Sequence, residues 1–201
     1  RQRQMCIRDR TTRVLDEYIN MAKRTIEGQD LGVLYDFDND LGSFRFRYNA
    51  SYTDKFDQIP TGQFGVINDA QQSGLVPLYV NLGGFGNLLG IDGNYDEKHS
   101  MRLSWRKGPW GASLSGLKKG SFIQSSLTLA DGTEYVIPSM TTMDASIDYR
   151  FDLGGSDARL RFAVKNLEDE RAPIADRFYG FFADAHQDYG RNYYVSLKVN
   201  M

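Results

Sequence analysis

The chain has 201 residues, of which 41% are hydrophobic and 13% aromatic, with a formal net charge of −2 and a single cysteine. No apolar run approaches the roughly 20 residues that a membrane-spanning helix needs, so any insertion into a membrane would have to use strands. A slightly acidic chain with interspersed charges does not favour nucleic acid as a partner. One cysteine rules out a disulfide scaffold.

Residues 1–10, RQRQMCIRDR, differ from the rest of the chain. They contain the cysteine and four arginines, and they show neither a period nor the apolar segment of a secretory signal. The string resembles translated sequencing-adapter DNA. We therefore interpret residues 1–10 as a non-native leader, and we expect the natural start of the protein, with its signal peptide, to be missing.

Seven later stretches alternate apolar and polar residues with a period of two. In residues 44–53 every even position is apolar or aromatic and every odd position is polar. Because successive side chains of a strand point to opposite faces, each stretch predicts a strand with one apolar and one polar face. The predicted strands are about 20–37, 44–53, 100–106, 110–115, 142–151, 158–165 and 192–201.

The connections between these strands alternate in length. Short turns are predicted near 38–42, 107–109 and 152–157, and long loops near 55–96, 119–139 and 168–190. Short turns at one end and long loops at the other are typical of outer-membrane β-barrels. The pattern therefore predicts an all-β fold, a transmembrane antiparallel β-barrel, with a soluble β-sandwich or β-helix as the alternative.

Aromatic residues flank every short turn and would form a lipid-facing girdle on the barrel. These residues are Tyr35, Phe37, Phe44, Trp105, Trp110, Tyr149 and Phe151. The opposite, inward face is rich in Arg, Ser, Asp and Lys, and would be wet or would contact a plug. Bacterial barrels have an even number of strands, eight or more, so we expect these seven to be the last strands of a larger barrel.

Four segments resemble motifs of TonB-dependent outer-membrane receptors, in the same order. They are EGQDLGVLYDF at 27–37, MTTMDASIDYRF at 140–151, VKNLEDERAP at 164–173 and GRNYYVSLKV at 190–199. The resemblance covers about residues 12–201, and it identifies residues 11–201 as the C-terminal part of such a receptor's barrel, without its plug domain. Two positions depart from the motifs: Met140 stands where an aromatic residue is common, and Met201 where the family usually ends in Phe.

The resemblance implies a 22-stranded barrel in the outer membrane of a Gram-negative bacterium, with a plug inside its lumen. It implies energy coupling to the TonB complex through a region upstream of this chain, and recognition of the C-terminal strand by the barrel-assembly machinery. The implied function is active uptake of a bulky, scarce ligand such as a ferric siderophore, cobalamin or an oligosaccharide, with no enzymatic activity and no cofactor. The alternatives are a passive porin, an adhesin or an outer-membrane barrel enzyme.

Aromatic residues of the long loops are candidates to stack on a chelator or a sugar, although they would also serve to pack one loop on another. The candidates are Tyr79, Phe85, Tyr95, Phe178, Tyr179, Phe181 and Phe182. His99 and His186 have no carboxylate or cysteine at metal-ligand spacing, so we expect both to be solvated. The sequence predicts no metal site and no catalytic residues.

Overall fold

The computed structural model describes residues 22–77 and 84–200. The leader, the first two residues of the first predicted strand, Tyr79 and Met201 lie outside this part of the chain. Among the described residues, no helix is both long and apolar enough to cross a membrane. The elements are β1 (Ala22–Asn39), β2 (Gly42–Pro60), α1 (Gly62–Gln72), β3 (Gly86–Asn87), β4 (Glu97–Lys107), β5 (Trp110–Lys119), β6 (Phe122–Thr128), β7 (Glu134–Ile137), β8 (Met140–Leu153), β9 (Ser156–Lys165) and β10 (Asn192–Asn200).

The chain forms two compact units. The larger unit holds residues 24–58 and the described residues from 84 onward, and therefore contains most of β1 and β2 and all later strands. The smaller unit includes the described residues 59–77, with α1. The α1 helix ends at Gln72, and the backbone N–H of the next residue, Ser73, donates to the Asp69 carbonyl at 3.0 Å.

The main sheet follows chain order, β1-β2-β4-β5-β8-β9-β10, with the short β3 paired to β2. Every pair with a described register is antiparallel. The path is open, with β1 and β10 at its two ends. The seven long strands of this path are the seven that the alternation predicts, so the antiparallel all-β fold is confirmed.

Several strands are longer than the alternation predicts. β1 has 18 residues and β2 has 19, whereas about 9–11 residues suffice for a strand to cross a bilayer. β5 continues to Lys119 although its alternation fails near Leu117, because β4 and β8 both remain paired to it. At that end the Lys118 ammonium lies 2.6 Å from the Glu97 carboxylate and links β5 to β4.

The register sorts side chains into rows that cross the sheet. One apolar row runs across six strands and consists of Phe46, Leu103, Leu114, Ala145, Val164 and Tyr193. The other face carries a polar row with Ser104, Ser113 and Ser146 directly opposite one another. Large apolar side chains on the apolar face remain exposed, Phe162 at 44% and Val195 at 68%. The sheet therefore has one apolar and one polar face, as the sequence predicts.

The seven girdle residues lie on the apolar face, beside the three short turns. Phe37 stacks on Phe44 at 4.8 Å between ring centroids, and Phe44 is directly opposite Trp105. Trp110 contacts Tyr149 at 4.7 Å across the next strand pair. The Trp105 indole N–H also donates to the Leu41 carbonyl at 2.7 Å and fastens the first turn. Their exposure to lipid stays a prediction.

The long connections contain secondary structure where the sequence predicts only loops. The 55–96 connection holds α1 and β3, and the 119–139 connection holds the β6–β7 hairpin. In the described part of the larger unit, a cluster of buried hydrophobic side chains lies between the β6–β7 hairpin and the segment after β9. We call this cluster the loop core; it consists of Phe122, Ile137, Ala175, Phe182 and Ala185.

Candidate functional site

Phe122 is the centre of the loop core. Its ring meets Phe182 edge to face at 5.1 Å and lies parallel to the His186 ring at 5.7 Å. The buried side-chain amide of Gln124 joins the same two segments. It donates to the Asp176 carbonyl at 2.9 Å and accepts a hydrogen bond from the Asp176 backbone N–H at 3.0 Å. Two connections far apart in sequence are thus joined by aromatic packing and a reciprocal pair of hydrogen bonds.

The structure separates the candidate loop aromatics into two groups. Phe182 is 4% exposed and belongs to the loop core, and Tyr95 packs against it. Phe178 and Tyr179 are 94% and 69% exposed, and Phe181 follows Tyr179 at 6.2 Å between ring centroids. Phe85 lies in the connection before β3, and Tyr79 lies outside the described residues. Phe178 and Tyr179 are thus exposed and Phe181 is half-buried, whereas Phe182 and Tyr95 pack loop on loop.

A cavity of about 430 Å³ opens beside this second group. Its size falls within the range of about 300–1,000 Å³ typical of sites for small molecules. The lining residues are Tyr179, Phe181, Ala183, His186, Gln187, Asp188 and Tyr189. Tyr179 and Phe181 are among the candidates predicted from the sequence, whereas Tyr189 is not, although it is an aromatic residue of the same loop. We call this space the loop cavity.

Asp188 is anchored on one wall of the loop cavity. Its carboxylate accepts two hydrogen bonds from the Arg171 guanidinium, at 2.7 and 2.5 Å, and one from the Ala172 backbone N–H at 2.9 Å. The Arg171 guanidinium and this backbone donor lower the pKa of Asp188 to about 2. The carboxylate is therefore ionised and already neutralised by Arg171, so it fixes the wall instead of offering a free charge to a cation.

The expectation that His186 is solvated is wrong. Its side chain is 1% exposed, and neither ring nitrogen has a hydrogen-bond partner among the described residues. Burial lowers the pKa of His186, and the nearby Lys119 ammonium lowers it further. Lys119 itself donates to the Ala185 carbonyl, next to the histidine. His186 is thus a neutral ring packed between the loop core and the loop cavity.

His99 is not solvated either. Its side chain is 17% exposed, with Nδ1 2.8 Å from the Tyr48 hydroxyl and Nε2 3.1 Å from the Glu97 carboxylate. The Glu97 carboxylate also receives Lys118, so this cluster links β2, β4 and β5 at the end of the sheet next to the long connections. The described residues contain no group of three or more His, Cys, Asp or Glu side chains placed to hold a metal ion.

The family model described as TonB dependent receptor-like, beta-barrel, matches residues 3–167. The chain belongs to this family. The matched range reaches the end of β9 and covers most of the main sheet of the receptor barrel. It also takes in most of residues 1–10, whose non-native origin stays a prediction. No curated protein and no solved structure matches the chain.

In this TonB-dependent receptor barrel, we expect the loop core to weaken as the pH falls below about 6.5, the usual pKa of histidine. Because the pKa of His186 is lowered in the folded loop, the unfolded loop binds a proton more readily than the folded one. The stability that the neutral, buried His186 gives the folded loop core is therefore present above pH 6.5 and is lost as the pH falls below it. Hydrogen-exchange protection of β6 and β7, measured between pH 7.5 and 5.0 in micelles, should report this loss.

His186→Leu should abolish the pH dependence of that protection. The matched control is His99→Gln, since the chain has only two histidines and His99 lies in β4 and is not part of the loop core. A pH dependence that persists in His186→Leu, or disappears in His99→Gln, would contradict the assignment.

Proposed function

We propose that this chain forms seven strands of a TonB-dependent outer-membrane transporter, and that its loops help to bind a bulky ligand. The observation that supports this most strongly is the loop cavity, which is lined by the long connection between β9 and β10, at the end of the sheet opposite the aromatic-flanked turns. In an antiparallel sheet with alternating short and long connections, all the long connections emerge at one end. That end would face the cell exterior.

The exposed apolar face supports the proposed location in the outer membrane. Large side chains such as Leu103, Phe162 and Val195 are 41%, 44% and 68% exposed and share that face. In water such a patch would be a liability, whereas hydrocarbon would cover it. The polar face would then line the lumen. The plug and the TonB-contacting region would be other parts of the same receptor.

The side chains of the loop cavity indicate the chemistry of the ligand. Tyr179, Phe181 and Tyr189 offer aromatic faces, which stack well on planar chelators and on the apolar faces of sugars. Because Asp188 is neutralised by Arg171, binding would rest on stacking and on neutral hydrogen bonds more than on charge. A ferric siderophore, cobalamin and an oligosaccharide all satisfy this description. No cofactor or enzymatic step is part of the proposal.

Uptake of labelled ligands tests the proposal. The receptor containing this chain would be expressed in a Gram-negative host without competing receptors, with and without a functional TonB, and offered a ferric siderophore, cobalamin and a maltooligosaccharide. We expect uptake of one class, and only with TonB. Replacing Tyr179 and Phe181 together by alanine should reduce that uptake about tenfold or more, at roughly 1 kcal/mol per lost aromatic contact.

Leu129→Ala is the matched control, because Leu129 is an exposed apolar residue near the tip of the β6–β7 hairpin and does not line the loop cavity. It should leave uptake unchanged. Uptake that does not require TonB, or ion conductance through the protein alone, would instead identify a passive porin. Loss of binding to host cells without any effect on uptake would identify an adhesin.

A further inference from the structure

A network of polar side chains interrupts the apolar face of the sheet at the end next to the long connections. We call it the rim network; its members are Tyr48, Glu97, His99 and Lys118. His99 stands an even number of residues from Leu103 of the apolar row, so both side chains lie on the same face. Lys118 lies directly opposite His99 in the register. Ionisable side chains on the lipid side of a membrane protein are rare and indicate a functional site.

The rim network lies at the edge of the apolar band. Between His99 and the short turn after β4, the side chains of β4 on the apolar face are Met101, Leu103 and Trp105. The stretch 99–107 has the length of about 9–11 residues that a barrel strand needs to cross the hydrocarbon core. On the proposed outer-membrane location, on which this inference rests, the network therefore lies at the level of the lipid head groups on the side of the long connections.

Other parts of the receptor barrel would not cover this network. The strands that carry it, β2, β4 and β5, are neighbours inside the sheet, whereas further strands would pair with β1 or β10 at its ends. A plug would fill the lumen and lie against the opposite, polar face. The surface that meets the rim network from outside the barrel is therefore the lipid of the outer leaflet.

The network presents a cation, a carboxylate and an aromatic ring to that lipid. The Lys118 side chain is 42% exposed, and Glu97 accepts one of the three N–H donors of its ammonium. The Glu97 carboxylate contacts Lys118 with one oxygen and His99 with the other, and it keeps acceptor sites on both. Tyr52 lies directly opposite Glu97 and meets His99 edge to face at 5.5 Å. The Tyr52 side chain is 43% exposed.

We propose that the rim network and Tyr52 bind the phosphorylated sugar head group of an outer-leaflet glycolipid. The Lys118 ammonium holds the phosphate through charge-assisted hydrogen bonds. The Tyr52 ring stacks on the apolar face of the sugar, and the Glu97 carboxylate accepts hydrogen bonds from the sugar hydroxyls. A phosphate head group without a sugar makes only the first of these contacts, and it places its negative charge beside Glu97 without compensation.

Lipid binding to the receptor that contains this chain, purified in neutral detergent micelles and followed by native mass spectrometry, tests this inference. The probes are lipid A, whose head group is a phosphorylated glucosamine disaccharide, phosphatidylglycerol and phosphatidylcholine. Lipid A should bind about tenfold or more tightly than either phospholipid. Lys118→Gln should weaken its binding about tenfold or more, the range for a lost hydrogen bond to a charged group. Tyr52→Ala should weaken it about threefold or more, the range for a lost aromatic contact.

Lys107→Gln is the matched control. Lys107 is also an exposed lysine of the apolar face, directly opposite Trp110, but it lies beside the short turn at the other end of β4. Its replacement should change the affinity for lipid A less than about twofold, as expected for a screened distant charge. Lys118→Arg and Tyr52→Phe keep the cation and the ring, and both should retain most of the binding.

Equal weakening in Lys107→Gln and Lys118→Gln would overturn the site, because it would show only a general attraction of anions. Equal binding of lipid A and phosphatidylglycerol would overturn the glycolipid assignment, and the absence of lipid A binding would overturn the proposal. If Lys118→Gln folds poorly, Tyr52→Ala decides the question, and unchanged binding in that variant would overturn the site. TonB-dependent uptake without selective binding of lipid A would overturn this inference and leave the proposed function standing.

Discussion

Phe122→Ala is expected to unfold the loop core and to leave the seven-stranded sheet folded. Phe122 is 2% exposed, and its ring contacts Phe182, His186 and Tyr95. Truncating a buried phenylalanine costs about 3–5 kcal/mol, because the cavity left behind collapses only in part. Since these contacts all lie in the long connections, the cost falls on the loop core and not on the strand ladder.

Hydrogen exchange in micelles distinguishes local unfolding of the loop core from unfolding of the whole sheet. In Phe122→Ala, protection should fall in residues 122–137 and 171–190 and should persist in β8 and β9. The control is Val136→Ala in β7 of the same hairpin, where the side chain is 53% exposed and the change should cost within about 0.5 kcal/mol. A parallel loss of protection in β8 and β9 would show that the loop core supports the sheet as well, contrary to the expectation.

If Phe122→Ala behaves in this way, ligand uptake should fall with it, because Phe122 packs on His186 and His186 lines the loop cavity. The loop core would then be the support that fixes the position of Tyr179 and Phe181. Binding sites are commonly built on surface connections that a rigid scaffold positions. Here the scaffold of the site is itself made of connections.

The main sheet could be predicted from the sequence because apolar and polar residues alternate along each of its strands. The Phe44-to-Thr53 alternation, for example, fixes both the strand and the face that each side chain occupies. Strand ends were harder to predict. Gly116 and Leu117 break the alternation of β5, yet the strand continues because its hydrogen bonds come from its neighbours β4 and β8.

The loop core could not be predicted, because its contacts join residues that no local pattern relates. Phe122 and Phe182 each stand in a stretch without periodicity, and both become buried because the two connections that contain them pack together. The sequence offered Phe182 only as a candidate to bind a ligand or to pack a loop. The same holds for His186, whose burial depends on Phe122 and on Lys119 of β5. From sequence, an aromatic residue that binds a ligand and one that packs a loop look alike.

Asp148→Ala is expected to destabilise the sheet by about 2–3 kcal/mol. Asp148 is 6% exposed and holds Arg106 and Arg159 on its two oxygens, so its removal leaves two arginines facing each other without a counter-charge. Breaking a fully buried pair costs about 3–5 kcal/mol. The effect should be smaller here because the two arginine side chains are 35% and 38% exposed and keep part of their hydration. Urea unfolding of the chain in micelles measures the difference.

Two further variants separate this explanation from a simple loss of packing. Asp157→Ala removes an exposed carboxylate from the same sheet and should cost within about 0.5 kcal/mol. Adding Arg106→Met and Arg159→Met to Asp148→Ala removes the stranded charges, and should restore most of the stability, because a hydrophobic replacement of a whole charged triad is often neutral. If the triple variant is as unstable as Asp148→Ala alone, the unpaired arginines are not the cause. Recovery would show that Asp148 stabilises the sheet by balancing the charges of Arg106 and Arg159, which no other described carboxylate contacts.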